Sequence, residues 1–256
     1  MSAGAKGGRS AHRVPVVRLL AMAALLLLVM LASAGLYYAN EVRVARAVTP
    51  ALVAQAWQRH GRRVALAELT PRHREILLAI EDPAFLRHRG VDLQTPGAGM
   101  TTITQGLVKL LYFPGGFQQG VAKIRQTLIA HYALDAQVSK QEQLELLLNI
   151  AYLGNRDGRP VRGFAEAAEA YHGKRFAELS DREFQALVAM LIAPNRYVPG
   201  STDHAERMRR IDAYLAGQVR PASLLDVEYD GKAGGTPAEE ALMAVLRLAT
   251  DARPTP

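Results

Sequence analysis

The sequence contains no cysteine in its 256 residues. This absence excludes disulfide bonds, zinc sites built from thiolates and catalytic thiols. Aromatic residues make up only 6% of the chain, and they form no stripe interleaved with basic residues. The formal net charge of +7 is therefore better explained by a basic tail and a surface that faces anionic lipid headgroups. We expect no nucleic-acid partner.

One long stretch lacks charge entirely. From Leu19 to Ala39 the sequence reads LLAMAALLLLVMLASAGLYYA. At 1.5 Å per residue, about 20 helical residues cross a bilayer core of roughly 30 Å, which predicts a transmembrane helix at residues 19–39. Residues 1–18 carry basic but no acidic side chains, so the positive-inside rule predicts a cytoplasmic tail there and export of the chain after Asn40. The basic residues are Lys6, Arg9, Arg13 and Arg18.

A cleaved signal peptide is the alternative for this segment. Ala32, Ser33 and Ala34 have the small-residue spacing of a cleavage site. The apolar run is longer than a usual signal-peptide core and continues beyond Ala34, which favours an uncleaved anchor. Proteolysis at Ala34 stays open.

The rest of the chain has the size of one folded domain with appendages. Pro50 and Gly61 break the short apolar runs after the anchor, which predicts an extended or juxtamembrane connector at residues 40–68. We place the main domain at residues 69–200 and a helical extension of unknown role at residues 201–256.

Capping signals and apolar spacing predict that the domain is mostly helical. Thr70 and Pro71 offer an N-cap followed by proline in the first turn, and Ser139 with Glu142 matches a capping box. No segment shows sustained alternation with a period of two residues. Further helices are predicted from Thr101 to Tyr112, Val121 to Gln137, Gly163 to Tyr171, Ser180 to Ile192, Asp203 to Leu215 and Ala238 to Ala249.

The stretch EDPAFLRHRG, from Glu81 to Gly90, places an acidic pair at the end of a predicted helix. A carboxylate that emerges from an apolar helix face is partly desolvated, which raises its pKa towards a value useful for proton transfer. An ordinary charged helix end is the alternative for Glu81 and Asp82. His88, taken alone, is more often a structural hydrogen-bonding residue than a catalyst.

A second block, GMTTITQGLVK from Gly99 to Lys109, strengthens the catalytic hypothesis. Together the two blocks resemble glycosyltransferase family 51, the peptidoglycan polymerases that occur as monofunctional enzymes and as the first domain of bifunctional penicillin-binding proteins. The first family motif, E-D-x-x-F-x-x-H-x-G, is matched throughout, and the second, G-x-[ST]-T-I-T-Q-Q-x-x-K, is matched except at Gly106. The matching residues are Glu81, Asp82, Phe85, His88 and Gly90, then Gly99, Thr101, Thr102, Ile103, Thr104, Gln105 and Lys109.

The resemblance continues through SKQEQLELLLNIAYLG, from Ser139 to Gly154, and on to Tyr197. It implies an all-α, lysozyme-like glycosyltransferase fold preceded by one transmembrane helix. The helices predicted from capping and spacing agree with that fold.

The resemblance also implies a reaction. The growing glycan strand is joined to lipid II with inversion at the donor's anomeric carbon, and undecaprenyl diphosphate is released. Glu81 takes the role of general base on the acceptor hydroxyl, and Asp82 orients or supports it. Cations and hydrogen-bond donors stabilise the diphosphate leaving group. The expected cations are Lys109, Lys123 and Arg125, the expected donors are Thr101, Thr102, Thr104 and Gln105, and Phe85, His88, Gly90 and Gln126 complete the substrate-binding set.

The expected partners are lipid II, the growing glycan strand, the membrane and the cell-wall synthesis machinery. The expected location is the bacterial inner (cytoplasmic) membrane, with the catalytic domain on the periplasmic side. No cofactor or metal-ligand set is predicted, and a divalent cation such as Mg²⁺ at the diphosphate is left open.

The chain departs from the family in two places. The third motif, R-K-x-x-E, falls on AKIRQ, so Ala122 replaces its arginine and Gln126 replaces its glutamate. Glutamine can hydrogen-bond but carries no charge, and Arg125 is the candidate to restore the lost cation. The segment between Asp92 and Gly99 is also shorter than the stretch that covers the donor groove in typical members.

These departures leave a second function open, a non-catalytic paralogue that binds lipid II or regulates a synthase. A lytic enzyme is a third hypothesis, because one catalytic glutamate can serve either chemistry, but the T-I-T-Q motif argues against it. The chain has no S-x-x-K or K-T-G sequence, so it carries no transpeptidase motif.

Overall fold

The computed structural model describes residues 16–118, 120–231 and 235–250. The chain divides into two compact units, Met1–Asn40 and Glu41–Pro256. Most of the predicted basic tail, including Lys6, Arg9 and Arg13, lies outside the described residues.

The first helix, α1, runs from Val16 to His60. Its N-terminal part contains the predicted anchor, and the large apolar side chains between Val16 and Leu36 are exposed. By length and composition α1 is able to cross a membrane, although a signal sequence would meet the same criteria. The anchor predicted at residues 19–39 therefore coincides with an exposed apolar helix.

Of the two alternatives for the connector, extended or juxtamembrane, the extended one is wrong between residue 40 and His60, where the chain is helical. The helix continues through Pro50 because one face of it is buried in the second unit. Tertiary packing of that face outweighs the hydrogen bond that proline removes. The buried residues are Ala45, Thr49, Val53 and Ala56, and Thr49 shares a 2.5 Å hydrogen bond with the Tyr112 hydroxyl.

Helices account for 63% of the structure and strands for 4%, so the all-α prediction is confirmed. After α1 come α2 Pro71–Glu81, α3 Ile103–Tyr112, α4 Val121–Ile129, α5 Asp135–Gln137, α6 Lys140–Ile150, α7 Gly163–His172, α8 Asp181–Val188, α9 Thr202–Leu215 and α10 Pro237–Thr250. Short 3₁₀ turns lie at Leu66–Glu68 and Phe176–Glu178, and a π-helical turn at Ala130–Leu134 joins α4 to α5. The single helix predicted from Val121 to Gln137 is thus three segments.

A small antiparallel hairpin was not predicted. Strand β1 Tyr152–Arg156 pairs with β2 Arg159–Arg162. Asp157 and Gly158 form the turn, with φ of 52° and 76°. Asp-Gly is a strong hairpin signal, but strands this short cannot show sustained alternation.

An aromatic cluster in the core fixes the orientation of α2. The His73 ring stacks on Phe184 of α8 at 4.3 Å, and Phe184 in turn stacks on Phe164 of α7 at 5.5 Å. At the start of α2 the Thr70 side chain accepts a hydrogen bond from the His73 backbone N–H, as predicted for an N-cap. These contacts anchor the helix that ends at Glu81.

Candidate active site

A cleft of about 440 Å³ opens at the end of α2. Glu81, the last residue of α2, lines it, together with the start of α3, the end of α6, the start of β1 and Arg207 of α9. Among the described lining residues, Glu81 is the one with a carboxylate, while Lys109 and Arg207 carry positive charge. The cleft therefore combines one acid with fixed cations.

Burial raises the pKa of Glu81 to about 7. The positive charge of Arg207 acts in the opposite direction, and the negative charge of Asp82 adds to the rise. A carboxylate with a pKa near neutrality can accept a proton and release it again at physiological pH. Glu81 thus has the electrostatics expected of a general base.

Asp82 lies behind the cleft and is completely buried. Its carboxylate contacts Nε2 of His88 at 2.8 Å and accepts the backbone N–H of Ile103 at 3.0 Å. It is absent from the described cleft lining. Asp82 therefore fixes the end of α2 against the start of α3.

The other residues of the first motif also form a scaffold. Phe85 is completely buried, with Nζ of Lys140 4.4 Å from its ring centroid. The carbonyl of Gly90 accepts a 2.7 Å hydrogen bond from the Thr102 hydroxyl. The sequence predicts that Phe85, His88 and Gly90 contact the substrate. None of the three is among the described residues of the cleft lining, and Asp82 is also absent from it.

The second motif divides between structure and cleft. Thr102 caps α3 in a capping box with Gln105, and Nε2 of Gln105 donates to Thr127 at 2.9 Å. The buried hydroxyl of Thr104 donates to Oε1 of Gln143 at 2.6 Å. Of the predicted hydrogen-bond donors, Thr101 and Thr102 line the cleft, whereas Thr104 and Gln105 do not.

Two lysines form a cationic side of the site. Lys109 lines the cleft, and burial lowers its pKa. Lys123 donates to the backbone carbonyl of Met100 and, at 3.1 Å, to the hydroxyl of Thr101. Burial, with a smaller contribution from Lys109, lowers the pKa of Lys123 to about 7. Lys123 therefore reaches the cleft through Thr101.

Arg125 points elsewhere. Its side chain pairs with Glu41 at 2.5 Å and lies 5.2 Å from the Phe113 ring centroid. Arg125 is not among the described lining residues, so the expected replacement of the lost cation by Arg125 is wrong for this structure. The reason is the ion pair with Glu41 of α1, which holds the guanidinium away from the described cleft lining.

Arg207 is the site residue that the sequence analysis missed. It is only 1% exposed, its Nη1 donates to the carbonyl of Val227 at 2.9 Å, and its Nε donates to the carbonyl of Ala189 at 3.2 Å. An available signal was its place on the buried face of α9, between His204 and Ile211. An arginine on such a face is seldom buried without a partner or a function.

Protein ligands for a metal ion are not grouped in the described part of the chain. No cluster of three or more histidine, aspartate or glutamate side chains is found there. Apart from Glu81, the charged side chains on the described cleft wall are cations. The residues present do not fit a protein-held Mg²⁺.

The cleft thus brings together one carboxylate of raised pKa and two cationic side chains. A family model described as "Transglycosylase" matches residues 49–219 of the chain. The chain therefore belongs to the transglycosylase family, glycosyltransferase family 51. The match begins within α1 and ends beyond α9, so it extends past the predicted domain limits of 69 and 200 on both sides.

Several penicillin-binding proteins are similar to the chain. Penicillin-binding protein 1A of Streptococcus oralis is 30% identical over 183 residues, which cover 66% of this chain and 28% of that protein. Penicillin-binding protein 1B of Buchnera aphidicola is 33% identical over 147 residues, which cover 52% and 19%. Penicillin-binding protein 1A of Pseudomonas aeruginosa is 34% identical over 136 residues, which cover 48% and 16%. The similarity thus spans less than a third of each relative's length.

Proposed function

We propose that this chain is a peptidoglycan glycosyltransferase that polymerises lipid II, with Glu81 as general base. The observation that carries the proposal is the position of Glu81 in the cleft, with a pKa of about 7 and with Lys109 and Arg207 lining the same cleft. Family membership supports glycosyl transfer as the reaction class.

In the proposed reaction Glu81 removes the proton from the acceptor sugar hydroxyl as that oxygen attacks the donor's anomeric carbon. A new glycosidic bond forms, the bond from the anomeric carbon to the diphosphate oxygen breaks, and its electron pair stays with undecaprenyl diphosphate. Fixed charges are most effective where the negative charge develops. Lys109 and Arg207 supply them directly, and Lys123 acts through Thr101.

We propose that α1 is an uncleaved anchor in the bacterial inner membrane. Its apolar length supports the anchor, and the basic residues before it support a periplasmic position for the domain. A lipid-linked substrate and its enzyme would then share one membrane surface. Proteins of cell-wall synthesis are the expected partners.

The non-catalytic alternative depends on Gln126. Gln126 is completely buried and absent from the described cleft lining. The departure from the family at this position therefore removes no side chain from the described cleft lining, and this supports the catalytic proposal over a lipid II-binding paralogue.

The test is polymerisation of labelled lipid II by the full chain in detergent. Glu81→Gln should lower the rate by at least about 100-fold while lipid II binding is retained. Glu75→Gln is a matched control, because Glu75 lies on the same helix, is exposed, and pairs only with Arg72 at the surface in the described contacts. It should keep the wild-type rate.

The alternatives give different results in the same experiment. Lipid II binding by the wild type without polymer supports the non-catalytic paralogue. Soluble fragments released from purified sacculi support a lytic enzyme. Parallel reactions with Mg²⁺ and with a chelator show whether a divalent cation assists the diphosphate.

A further inference from the structure

The segment between α9 and α10 forms part of the cleft. Residues 221–231 of this segment pack against the shortened stretch that ends at Gly99. The backbone N–H of Gly97 donates to the Ser223 carbonyl at 2.9 Å, and that of Gly99 donates to the Leu224 carbonyl at 2.8 Å. Val227 lines the cleft beside Gly97 and Gly99. The family match ends at residue 219, so this cleft wall lies beyond it.

Side chains of the 221–231 segment pack against Gly97 and Gly99 and leave no room for a Cβ at either position. A Cβ on Gly97 would lie 2.6 Å from Pro221, and one on Gly99 would lie 2.7 Å from Val227. Both glycines also have positive φ, 79° and 70°. The lack of side chains and the positive φ of Gly97 and Gly99 therefore allow the 221–231 segment to pack closely against this stretch.

The segment is held in one shape by a buried carboxylate. Asp226 is 2% exposed and accepts the backbone N–H groups of Ala222, Asp230 and Gly231 at 2.9, 3.0 and 3.2 Å. Hydrogen bonds to a charged acceptor are stronger than neutral ones. The segment is therefore a fixed wall.

Tyr229 connects this wall to the helix that carries Glu81. Its hydroxyl donates to the Ile80 carbonyl at 3.1 Å, and its ring stacks at 4.3 Å on Tyr214, whose hydroxyl donates to the Ala79 carbonyl at 3.2 Å. The last carbonyls of a helix lack intrahelical partners, and Pro83 has no N–H to offer Ala79. The two tyrosines take that role one and two residues before Glu81.

Two further features tie Tyr229 to the site. Its φ is +55°, a conformation that bulky residues rarely adopt and that persists only when surrounding contacts impose it. Two residues earlier, the carbonyl of Val227 accepts the hydrogen bond from Arg207. The same short segment therefore contacts the backbone beside the base and the side chain of the neighbouring cation.

We propose that residues 221–231 are a built-in wall of the active cleft, in which Tyr229 is a positioning residue that fixes Glu81 relative to Arg207. This inference rests on the proposed role of Glu81 as the base. The segment occupies the side of the cleft where the stretch between Asp92 and Gly99 is short.

The test compares Tyr229→Phe with Tyr132→Phe in the full chain. Both substitutions remove one hydroxyl that donates to a backbone carbonyl, because Tyr132 donates to Ala249 at 2.8 Å, and Tyr132 is absent from the described cleft lining. Tyr229→Phe should lower kcat about 10-fold, with KM for lipid II within about twofold, because small displacements of a catalytic group reduce the rate strongly. Tyr132→Phe should leave both constants unchanged.

The proposal is supported if Tyr229→Phe lowers kcat more than Tyr132→Phe does while the two variants have the same melting temperature. Equal kcat values, or losses that follow the melting temperature in both variants, overturn it. If the wild type makes no polymer, the proposed function fails, but the positioning role of Tyr229 can still be tested. The test is an NMR titration of the ¹³C-labelled Glu81 carboxyl, whose signal is identified because it is missing in Glu81→Gln. A midpoint that changes in Tyr229→Phe but not in Tyr132→Phe supports positioning, and an unchanged midpoint in both overturns it.

Discussion

Gln126 donates a 2.6 Å hydrogen bond from its side-chain Nε2 to the backbone carbonyl of Gln105. Its side-chain oxygen has no partner in the described part of the chain. Gln126 belongs to α4 and Gln105 to α3, so the bond joins α4 to the helix whose Ile103, Gly106 and Lys109 line the cleft. An amide fits this position because it can donate to a carbonyl, which an ionised carboxylate cannot do.

Gln126→Glu, which restores the residue found in the family motif, should therefore destabilise the protein without increasing polymerisation. At neutral pH we expect a loss of about 1–3 kcal/mol or more, since a buried charge would face a carbonyl oxygen. Burial raises the pKa of the new carboxyl above its unfolded value, so the loss should be small near pH 4 and grow as the pH rises through the folded pKa. Thermal unfolding at both pH values measures this.

Gln137→Glu is the matched control. Gln137 also donates from its side chain to a backbone carbonyl, that of Ala133, but it is exposed. Its substitution should have little effect on stability at either pH. A gain of polymerisation in Gln126→Glu would contradict the position of Gln126 behind the cleft.

The rate of polymerisation should depend on pH through Glu81 and Lys123. Glu81, with a pKa of about 7, acts as a base only when deprotonated, so kcat should rise as the pH increases through 7. Lys123, also with a pKa of about 7, loses its charge over the same range, which should lower kcat at higher pH. We expect a bell-shaped profile with its maximum close to neutrality.

Lys123→Arg separates the two limbs of that profile. Arginine stays protonated throughout, so the decline at high pH should disappear while the acid limb remains. Initial rates measured between about pH 5 and pH 9 decide this, with circular dichroism to confirm the fold. If the acid limb shifts in Lys123→Arg, its attribution to Glu81 is wrong.

Glu81→Gln should stabilise the protein while it abolishes activity. The folded-state pKa of Glu81 lies above its unfolded value, so the native state binds the proton more tightly and ionisation costs stability as the pH rises from about 4.5 to above 7. Removing the charge should raise the free energy of unfolding at pH 8 by up to about 3 kcal/mol. Denaturant unfolding should show no such difference near pH 4, and a less stable variant at pH 8 would refute this explanation.

The sequence predicts those parts of the fold that depend on neighbouring residues. The N-caps at Thr70 and Ser139 form as expected, because a side chain and a backbone N–H three residues apart make them. The second half of the predicted capping box is not found at Ser139, where Oε1 of Glu142 accepts from Trp57 instead. The raised pKa of Glu81 also follows from a local pattern, an acid at the end of an apolar helix face.

Contacts between distant residues could not be predicted in this way. Tyr229 reaches Ile80 across 149 positions, and Arg207 enters the cleft from α9, whose apolar spacing predicts a buried face but not the cleft that this face meets. Likewise, the buried face of α1 carries the helix through Pro50, which local rules treat as an interruption. The motif residues Asp82 and Phe85 are characteristic of the family, but only the fold shows that they support the site from behind.

The threonines of the second motif should separate into a cleft residue and a structural residue. Thr101→Val removes an acceptor for Lys123 at the cleft wall, so we expect a rate loss of about 10-fold with little change in stability. Thr104→Val leaves Oε1 of the buried Gln143 without its donor, at a cost of about 1–3 kcal/mol. At temperatures where it is folded, that variant should retain the wild-type rate. If Thr104→Val lowered the rate and Thr101→Val lowered the stability instead, the motif would be oriented differently relative to the cleft.

Gly90 should be required by packing rather than by substrate. Its φ is 76°, and a Cβ there would lie 2.6 Å from the Ala130 carbonyl oxygen, inside the π-helical turn that cannot move without disturbing α4 and α5. Gly173, the C-cap of α7, has a similar φ of 64°, but a Cβ there would meet nothing within 4 Å, so Gly173 measures the backbone cost alone. Gly173→Ala should cost about 1 kcal/mol and lower Tm by roughly 2–4 °C. Gly90→Ala should lower Tm at least twice as far, because the steric clash adds to the same backbone cost. Equal decreases in Tm in the two variants would mean that the π-helical turn moves to accommodate the added methyl group. Glycine would then be required at position 90 only because of its positive φ.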